Sequence, residues 1–286
     1  MKVGIIGAGR AGCAFAFALA EKGAEITGVY SRNPESAGYI AERLKTAFEN
    51  DIEKLVESAE VILLTVPDTA VNELAIAISR LCSPSCIKGK TFMHASGALT
   101  SKELEPLEVS GAHTGSLHPI QTFADRENGW KGMFGIYFGF EGGSGALGQA
   151  RQLVELPEGH MLEIRPEAKA LYHAAACILS NYTVTLSYAA GMLLEAAGVG
   201  RDAGLKAFMP LLRNTVENIA TGGSIKALTG PVARGDFLTV ARHLSAMGDN
   251  DIAELYKAAG RMTVKLAEEK GSIGETAAEQ LLEVLE

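Results

Sequence analysis

The first 164 residues alternate short apolar, β-branched runs with longer segments of helical periodicity. The runs that predict strands are Lys2–Ile6, Glu25–Tyr30, Val61–Thr65, Thr91–His94 and Gly135–Phe140. The intervening segments that predict helices are Ala14–Lys22, Pro34–Leu44 and Val71–Leu81. Strands this apolar are typically covered on both faces, as in parallel sheets. The pattern in residues 1–164 therefore predicts a Rossmann-type α/β domain with a doubly wound, mostly parallel sheet.

The pattern changes after residue 164, where strand signals disappear. Pro166 suits the first turn of a helix and no breaker follows before Gly198, which predicts a helix of about 32 residues, or about 48 Å. Further helices are predicted at Gly204–Ala220, Asp236–Met247 and Asp251–Lys270. The pattern in residues 165–286 therefore predicts an all-α domain. Because its first helix is longer than such a domain needs, we expect a homodimer with a second subunit lying along it.

The composition narrows the class of partner. Of the 286 residues 47% are apolar, and 26 basic against 34 acidic side chains give a net charge of −8. The apolar content is sufficient for a folded core, which excludes a disordered chain. An acidic chain is a poor match for nucleic acid or for an anionic membrane surface. We therefore expect a small-molecule substrate or another protein as the partner.

Three features favour a cytoplasmic protein without a metal site or a membrane span. Arg10 interrupts the apolar N-terminal run that a secretion signal would need. The uncharged stretch Ala174–Leu194 contains several hydroxyl and amide side chains, which fits a buried or interface helix better than a membrane span. Only Cys82 and Cys86 are close in sequence, a pattern that favours free thiols over a metal site.

A glycine motif joins the first predicted strand to the first predicted helix. Gly7, Gly9 and Gly12 form G-x-G-x-x-G, with Arg10 and Ala11 between the last two glycines. The first glycine allows a tight turn, the second lets a pyrophosphate approach the backbone, and the third lets helix and strand pack closely. The helix N-terminus adds N–H donors for phosphate. The motif predicts a Rossmann-type dinucleotide-binding domain.

The end of the second strand favours NADP over NAD. NAD-binding domains usually carry an acidic residue there for the ribose 2′-hydroxyl, whereas NADP binding needs a cation for the 2′-phosphate. This strand runs instead into Ser31 and Arg32, a hydroxyl and a guanidinium suited to phosphate. Arg10 is either a second phosphate contact or a solvated surface arginine.

Two further loops are expected on the nicotinamide side of the cofactor, because ligands bind at the carboxyl ends of the strands in such sheets. Val66 and Pro67 follow one predicted strand, and Ser96 and Gly97 follow the next. Pro67 has an alternative interpretation, in which it simply ends its strand.

Three segments of the chain resemble a known family. They are Ser116–Phe123, Lys169–Tyr182 and Leu228–Asp236. Together they are similar to bacterial presumed oxidoreductases that pair a Rossmann-like domain with a helical domain of unknown function. That family is distantly similar to pyrroline-5-carboxylate reductase, ketopantoate reductase and 6-phosphogluconate dehydrogenase. The resemblance implies NADP binding, an interleaved helical dimer, a helical domain like that of 6-phosphogluconate dehydrogenase, and hydride transfer, but no substrate.

The helix that opens at Pro166 carries a polar stripe of candidate catalytic residues. At 100° per residue, Lys169, His173, Cys177 and Ser180 share one face and Asn181 lies at its edge. In the related dehydrogenases a lysine at this position, often followed one turn later by an asparagine, handles the proton. Lys169 resembles that lysine, but His173 stands where the asparagine is usual, so either can be the proton donor. We expect catalytic roles for Lys169, His173 and Asn181, and a substrate contact from Ser180.

Two further residues are candidates with structural alternatives. His118 precedes Pro119, and this pair resembles a substrate-cleft feature of the family. His118 is either a catalytic or binding group there, as the resemblance implies, or part of a structural turn. Arg234 is suited to bind a substrate carboxylate bidentately, or its loop serves only to start the next helix, with Asp236 as N-cap.

Two functions follow from these patterns. The first is an NADP-dependent oxidoreductase acting on a small carbonyl or imine acid, or on the matching alcohol or amine. The second is a non-catalytic NADPH-responsive binding or sensor protein. The polar stripe favours the first, since a sensor has no need of it.

Overall fold

The computed structural model describes residues 1–49 and 51–286, which form two compact units, Met1–Asn181 and Tyr182–Glu286. The first unit contains a mostly parallel sheet with flanking helices, and the second is helical. The predicted fold class is therefore confirmed.

The sheet of the first unit contains seven strands within the described residues, in the order β2-β1-β3-β4-β5-β6-β7. Their bounds are β1 (Lys2–Ile6), β2 (Glu25–Tyr30), β3 (Val61–Leu64), β4 (Thr91–His94), β5 (His113–Pro119), β6 (Tyr137–Gly142) and β7 (His160–Glu163). Strands β1 to β5 are parallel, β6 runs antiparallel to β5, and β7 is parallel to β6. Every residue of β3 and β4 is buried, so neither strand shows the alternation of apolar and polar residues that a half-exposed strand would have.

Helices cover both faces of this sheet. Those of the first unit are α1 (Arg10–Glu21), α2 (Pro34–Leu44), α3 (Ile52–Ser58), α4 (Asp68–Leu81), α5 (Pro84–Ile87), α6 (Glu105–Val109), α7 (Ser144–Glu155) and α8 (Lys169–Leu179). Phe15 and Leu19 of α1 share a buried cluster with Phe138 on one face. Leu55 of α3 and Ile78 of α4 belong to the cluster on the other face. Burial of each such side chain stabilises the fold by about 1.5–3 kcal/mol.

Two strands of the sheet were not predicted, and one prediction was displaced. Strand β5 has one β-branched residue, Thr114, among His, Gly, Ser and Pro, so its β signal is weak, although most of it is buried between β4 and β6. Strand β7 is a short edge strand with mainly exposed residues. The predicted strand Gly135–Phe140 lies two residues further along, at Tyr137–Gly142.

The second unit is built from helices. The helices beyond residue 180 are α9 (Asn181–Ala196), α10 (Arg201–Ala227), α11 (Phe237–Met247), α12 (Asp251–Glu269) and α13 (Glu275–Val284). Helix α13 was not predicted. The Asp236 carboxylate accepts a hydrogen bond from the Thr239 backbone N–H at 3.0 Å, so its predicted role as N-cap of α11 is confirmed. Val240, Val264 and Leu281 form the buried core of this unit.

The long helix predicted from Pro166 extends to Ala196, but Ser180 (φ −106°, ψ −72°) divides it into α8 and α9. The compact units divide near this break, and Lys169 and Tyr172 join α8 to the sheet through hydrogen bonds. The domain boundary expected between residues 164 and 165 stays a prediction. This segment is the one described helix long and apolar enough to cross a membrane by length and composition. Only 6% of its most apolar window is buried within the chain, so it is not the buried helix that the sequence offered as one alternative.

Candidate functional site

The glycine motif forms a turn that the chain itself holds in place. Gly7 follows β1 with φ +107°, a conformation that side chains disfavour. The Thr65 hydroxyl, at the end of β3, donates a hydrogen bond to the Gly7 carbonyl oxygen at 2.6 Å. A Cβ at Gly12 would overlap that same oxygen. Gly7 and Gly12 are therefore required by the turn and its packing.

Gly9 is different, because nothing in the described chain lies within 4 Å of where its Cβ would be. It is the N-cap of α1, whose first turn has no side-chain cap and no acidic residue. Its missing side chain thus leaves space outside the protein, beside backbone N–H donors and the positive end of the helix dipole. This arrangement fits a phosphate group.

A pocket of about 320 Å³ lies beside this turn. It brings together six of the predicted cofactor residues, namely Gly7, Gly9, Ser31, Arg32, Val66 and Pro67. Tyr30 and three residues of α4, Ala70, Glu73 and Leu74, also line it and were missed. The spacing of the three on one face of α4 was the signal that could have found them.

The other predicted cofactor residues lie elsewhere. Arg10 is exposed and lines a separate open pocket with Tyr39 and Arg126. Ala11 is half-buried in the first turn of α1. The Ser96 hydroxyl donates to a carboxylate oxygen of Asp68 at 2.9 Å, which ties the end of β4 to the start of α4.

A second pocket of about 350 Å³ contains most of the predicted catalytic and substrate residues. His118, His173, Ser180 and Asn181 all line it. Cys177, which the sequence placed on the polar stripe without a role, and Gln121, which was not predicted, line it as well. The Cys177 sulfur lies 3.9 Å from Nδ1 of His173, one helical turn away on α8.

His118 is held by a tyrosine that the sequence did not single out. Its Nδ1 lies 2.7 Å from the Tyr172 hydroxyl, and its ring centroid lies 6.1 Å from that of His173. Burial, together with the nearby Lys169 and His173, lowers the pKa of His118 to about 4. Burial also raises the pKa of Tyr172 to about 12. At neutral pH both groups are therefore uncharged.

Two glycines make room for this cluster. A Cβ at Gly97 would lie 2.7 Å from Cδ2 of His173 and 3.0 Å from Nε2 of His118. A Cβ at Gly139, on β6, would overlap the Tyr172 hydroxyl. Gly97 was expected beside the cofactor, and it also separates the two histidine rings from the end of β4.

Lys169 lies behind the pocket rather than in its lining. Its side chain is 1% exposed, and its ammonium donates to the Ser116 hydroxyl at 2.7 Å and to the Ser96 carbonyl oxygen at 3.2 Å. Ser116 and His118 are two residues apart on β5, so their side chains share one face of the strand. Burial lowers the pKa of Lys169 to about 8, although Glu141 and Asp68 oppose the shift. The structure thus separates the predicted stripe into a buried lysine and pocket-lining residues beyond it.

Among the residues that the structure describes, no group of three or more His, Cys, Asp or Glu side chains is placed to hold a metal ion. Arg234 belongs to the second unit, in the turn Val232–Arg234 before α11.

Two family models match consecutive parts of the chain. A Rossmann-like domain matches residues 1–119, and a domain of unknown function, DUF2520, matches residues 136–263. The chain joins a Rossmann-like domain to a DUF2520 domain. The resemblance seen in the sequence is therefore confirmed. His118 lies in the Rossmann-like match, whereas Tyr172 and His173 lie in the DUF2520 match.

Solved structures with this fold match nearly the whole chain. One is a presumed NADP oxidoreductase from Bacteroides fragilis, 24% identical over 92% of this chain and 98% of its own, with a TM-score of 0.72. A protein from Thermotoga maritima is 24% identical over 94% and 99%, with a TM-score of 0.71. A reductive aminase from Aspergillus terreus, in complex with NADPH and ethyl levulinate, is 17% identical over 99% and 92%, with a TM-score of 0.59. No curated protein matches the chain.

Proposed function

We propose that the protein is an NADP(H)-dependent oxidoreductase that reduces a small carbonyl or imine compound, or oxidises the matching alcohol or amine. The observation that carries the proposal is the position of His118 and His173 against Gly97, just beyond the end of β4. The glycine turn follows β1 at the same edge of the sheet, where open α/β folds bind their ligands. The pocket beside the glycine turn would therefore hold the cofactor, and the pocket with the two histidines would hold the substrate, both at the carboxyl ends of the parallel strands.

NADP(H) is proposed over NAD(H) because of the residues at the end of β2. Ser31 and the exposed Arg32 line the pocket, and no carboxylate occupies the usual position for a ribose 2′-hydroxyl. Gly7 and Gly9 would hold the pyrophosphate, with Val66 and Pro67 along the adjoining wall. Two of the similar proteins support the same cofactor, since one is a presumed NADP oxidoreductase and the other is a reductive aminase in complex with NADPH.

NADPH, when bound, would supply a hydride to an electron-poor carbon, and the oxygen or nitrogen of the reduced bond would then need a proton. When the Tyr172 hydroxyl donates a hydrogen bond to Nδ1 of His118, Nδ1 acts as the acceptor. The proton of the neutral ring then lies on Nε2. His118 would then polarise the carbonyl or imine as a neutral hydrogen-bond donor. His173, in the same pocket, would deliver the proton as the general acid.

Lys169 has a different role in this proposal. Its ammonium is buried behind the pocket and is held by Ser116 and Ser96. Its positive charge would stabilise an anionic heteroatom and, added to the effect of burial, would help to keep His118 neutral. Ser180 and Asn181 would bind polar groups of the substrate.

The decisive experiment combines NADPH binding with single-turnover oxidation. NADPH affinity is measured by fluorescence, and bound NADPH is then mixed with 2-keto acids, cyclic imines, and ketone and amine pairs. We expect one class to oxidise it, and His173→Asn and His118→Asn to slow that step at least 100-fold with unchanged NADPH affinity. The control is His243→Asn, since His243 lies in the second unit and contacts Tyr256 at 2.8 Å.

The opposite result would be NADPH that binds tightly and that no member of the panel oxidises. That result would favour the NADPH-responsive binding or sensor protein. Loss of NADPH affinity in both histidine variants would instead show that the histidines support the fold of the site and not its chemistry.

We also propose that the protein is a homodimer through its helical part. Helices α9 and α10 carry large apolar side chains that the chain leaves exposed, among them Val184 (69%), Leu211 (64%) and Val216 (56%). A second copy would cover them, as the resemblance implies. Light scattering should give twice the mass of the chain, and Leu211→Lys with Val216→Lys should halve it. Flotation of the wild-type protein with phospholipid vesicles, together with a monomeric mass, would contradict this proposal.

A further inference from the structure

The segment that follows β5 connects the two pockets. Near its start, Ile120, Gln121 and Thr122 line the pocket that contains the histidines. Four residues beyond Thr122, Arg126 extends to the glycine turn, 118 residues earlier in the chain. No residue of this segment was assigned to the cofactor by sequence.

Arg126 bridges the glycine turn, which lines the cofactor pocket, and the start of α2. Its Nη2 donates to the Ala8 carbonyl oxygen at 3.1 Å and to the Ser36 carbonyl oxygen, in the first turn of α2, at 3.2 Å. Its guanidinium also lies 5.0 Å from the centre of the Tyr39 ring. Its Nε is buried without a hydrogen-bond partner among the described residues. Leaving such a donor unpaired is costly, so simple packing does not account for an arginine here.

The Ala8 carbonyl is the part of the glycine turn that this contact controls. In a trans peptide the carbonyl and the following N–H point in opposite directions. An arginine that holds the Ala8 oxygen therefore also fixes the direction of the Gly9 N–H. Gly9 is the motif residue whose Cβ position is open, and its N–H is one of the donors offered to a pyrophosphate.

We propose that Arg126 is a cofactor-positioning residue that fixes the Ala8–Gly9 peptide for pyrophosphate binding and couples the glycine turn to the segment lining the histidine pocket. The inference rests on the proposed binding of NADPH. Arg126 touches backbone carbonyls and an aromatic ring, so it acts through the turn and not on the reacting atoms.

The test compares two ligands that differ in the pyrophosphate. Dissociation constants are measured for NADPH and for adenosine 2′-monophosphate, which lacks the pyrophosphate and the nicotinamide half. We expect Arg126→Gln to weaken NADPH about tenfold or more and adenosine 2′-monophosphate less than about twofold, since the lost contact orients the pyrophosphate donor. Arg126→Lys should recover part of the NADPH affinity, because it restores one cationic donor.

The matched control is Arg43→Gln. Arg43 lies over the Phe17 ring at 4.8 Å and donates to the Tyr39 hydroxyl at 3.2 Å, so it shares the aromatic surroundings but contacts no carbonyl of the glycine turn. This variant should bind both ligands as the wild-type protein does. Thermal melting of each variant establishes that it is folded.

Three outcomes would overturn the inference. Equal NADPH affinity for Arg126→Gln and the wild type would show that the contact does not position the turn. Equal losses for both ligands would show a general structural role. A wild-type protein that binds no NADPH would overturn the proposed function together with this inference, whereas the first two outcomes would leave the proposed function intact.

Discussion

The Tyr172 hydroxyl lies 2.7 Å from Nδ1 of His118, and it joins α8 to β5 across 54 residues of sequence. Gly139 leaves the space that this hydroxyl occupies. The contact can fix which nitrogen of His118 carries the proton, so it links the packing of a helix on a sheet to the chemistry proposed for the pocket.

Replacing Tyr172 by phenylalanine should lower kcat about 10–100-fold while NADPH affinity stays the same, because Nδ1 loses the partner that sets the tautomer. Steady-state kinetics and NADPH titration measure both quantities. Tyr256→Phe is the matched control, since Tyr256 makes the same type of contact with His243 at 2.8 Å. An unchanged kcat in Tyr172→Phe would remove the tautomer argument.

Lys169→Met should raise the pKa of His118 above its value of about 4 toward the ordinary 6.5. Burial is the main cause of the lowered pKa, and the Lys169 ammonium is the next, so removing the ammonium reverses part of the shift. Titration of the His118 ring by NMR measures the change. A His118 pKa that stays at about 4 would mean that burial alone keeps the ring neutral.

The free energy of unfolding should fall as the pH drops from about 6.5 to about 4. Over this range His118 takes up a proton in the unfolded chain but not in the folded one, so acid favours unfolding by at most about 1.4 kcal/mol per pH unit for this group. Burial lowers the pKa of His94 as well, which adds a change of the same sign. Urea unfolding at several pH values should show a shallower dependence in His118→Gln, and an unchanged slope would contradict the assignment.

Gly97→Ala should destabilise the protein by about 1–3 kcal/mol and reduce turnover, since a Cβ there meets both histidine rings. Gly38→Ala is the contrasting variant, because its Cβ would meet nothing within 4 Å in the middle of α2. It should stabilise the protein by about 0.5–1 kcal/mol. Thermal unfolding and single-turnover kinetics check both variants, and equal effects would show that the contact at Gly97 is readily relieved.

Arg32→Ala should lower the preference for NADPH over NADH about tenfold or more, since a guanidinium beside the pocket is lost while the glycine turn is kept. The two dissociation constants measure this ratio. Arg10→Ala is informative beside it, because Arg10 lies at a different pocket and should change the ratio less. A ratio that Arg32→Ala leaves unchanged would place 2′-phosphate recognition elsewhere.

The sequence by itself determined the features that depend on local patterns. The apolar strands β1, β2 and β4, the helix α2, the glycine turn and the change to an all-α part after the sheet were each readable from residues close together in the chain. The positive φ of Gly7 and the Asp236 cap are local, because a backbone angle and a cap hydrogen bond involve near neighbours in the chain.

The tertiary structure decided what the polar residues do. Strand β5 has no strong propensity and exists because β4 and β6 pair with it. Lys169 and His173 are one helical turn apart and looked equivalent in sequence, yet one is buried against Ser116 and the other lines a pocket. Tyr172 and Arg126 gained their proposed roles from contacts 54 and 118 residues away. A helical pattern gives the face on which a residue lies, but burial and hydrogen-bond partners depend on which strand that face meets.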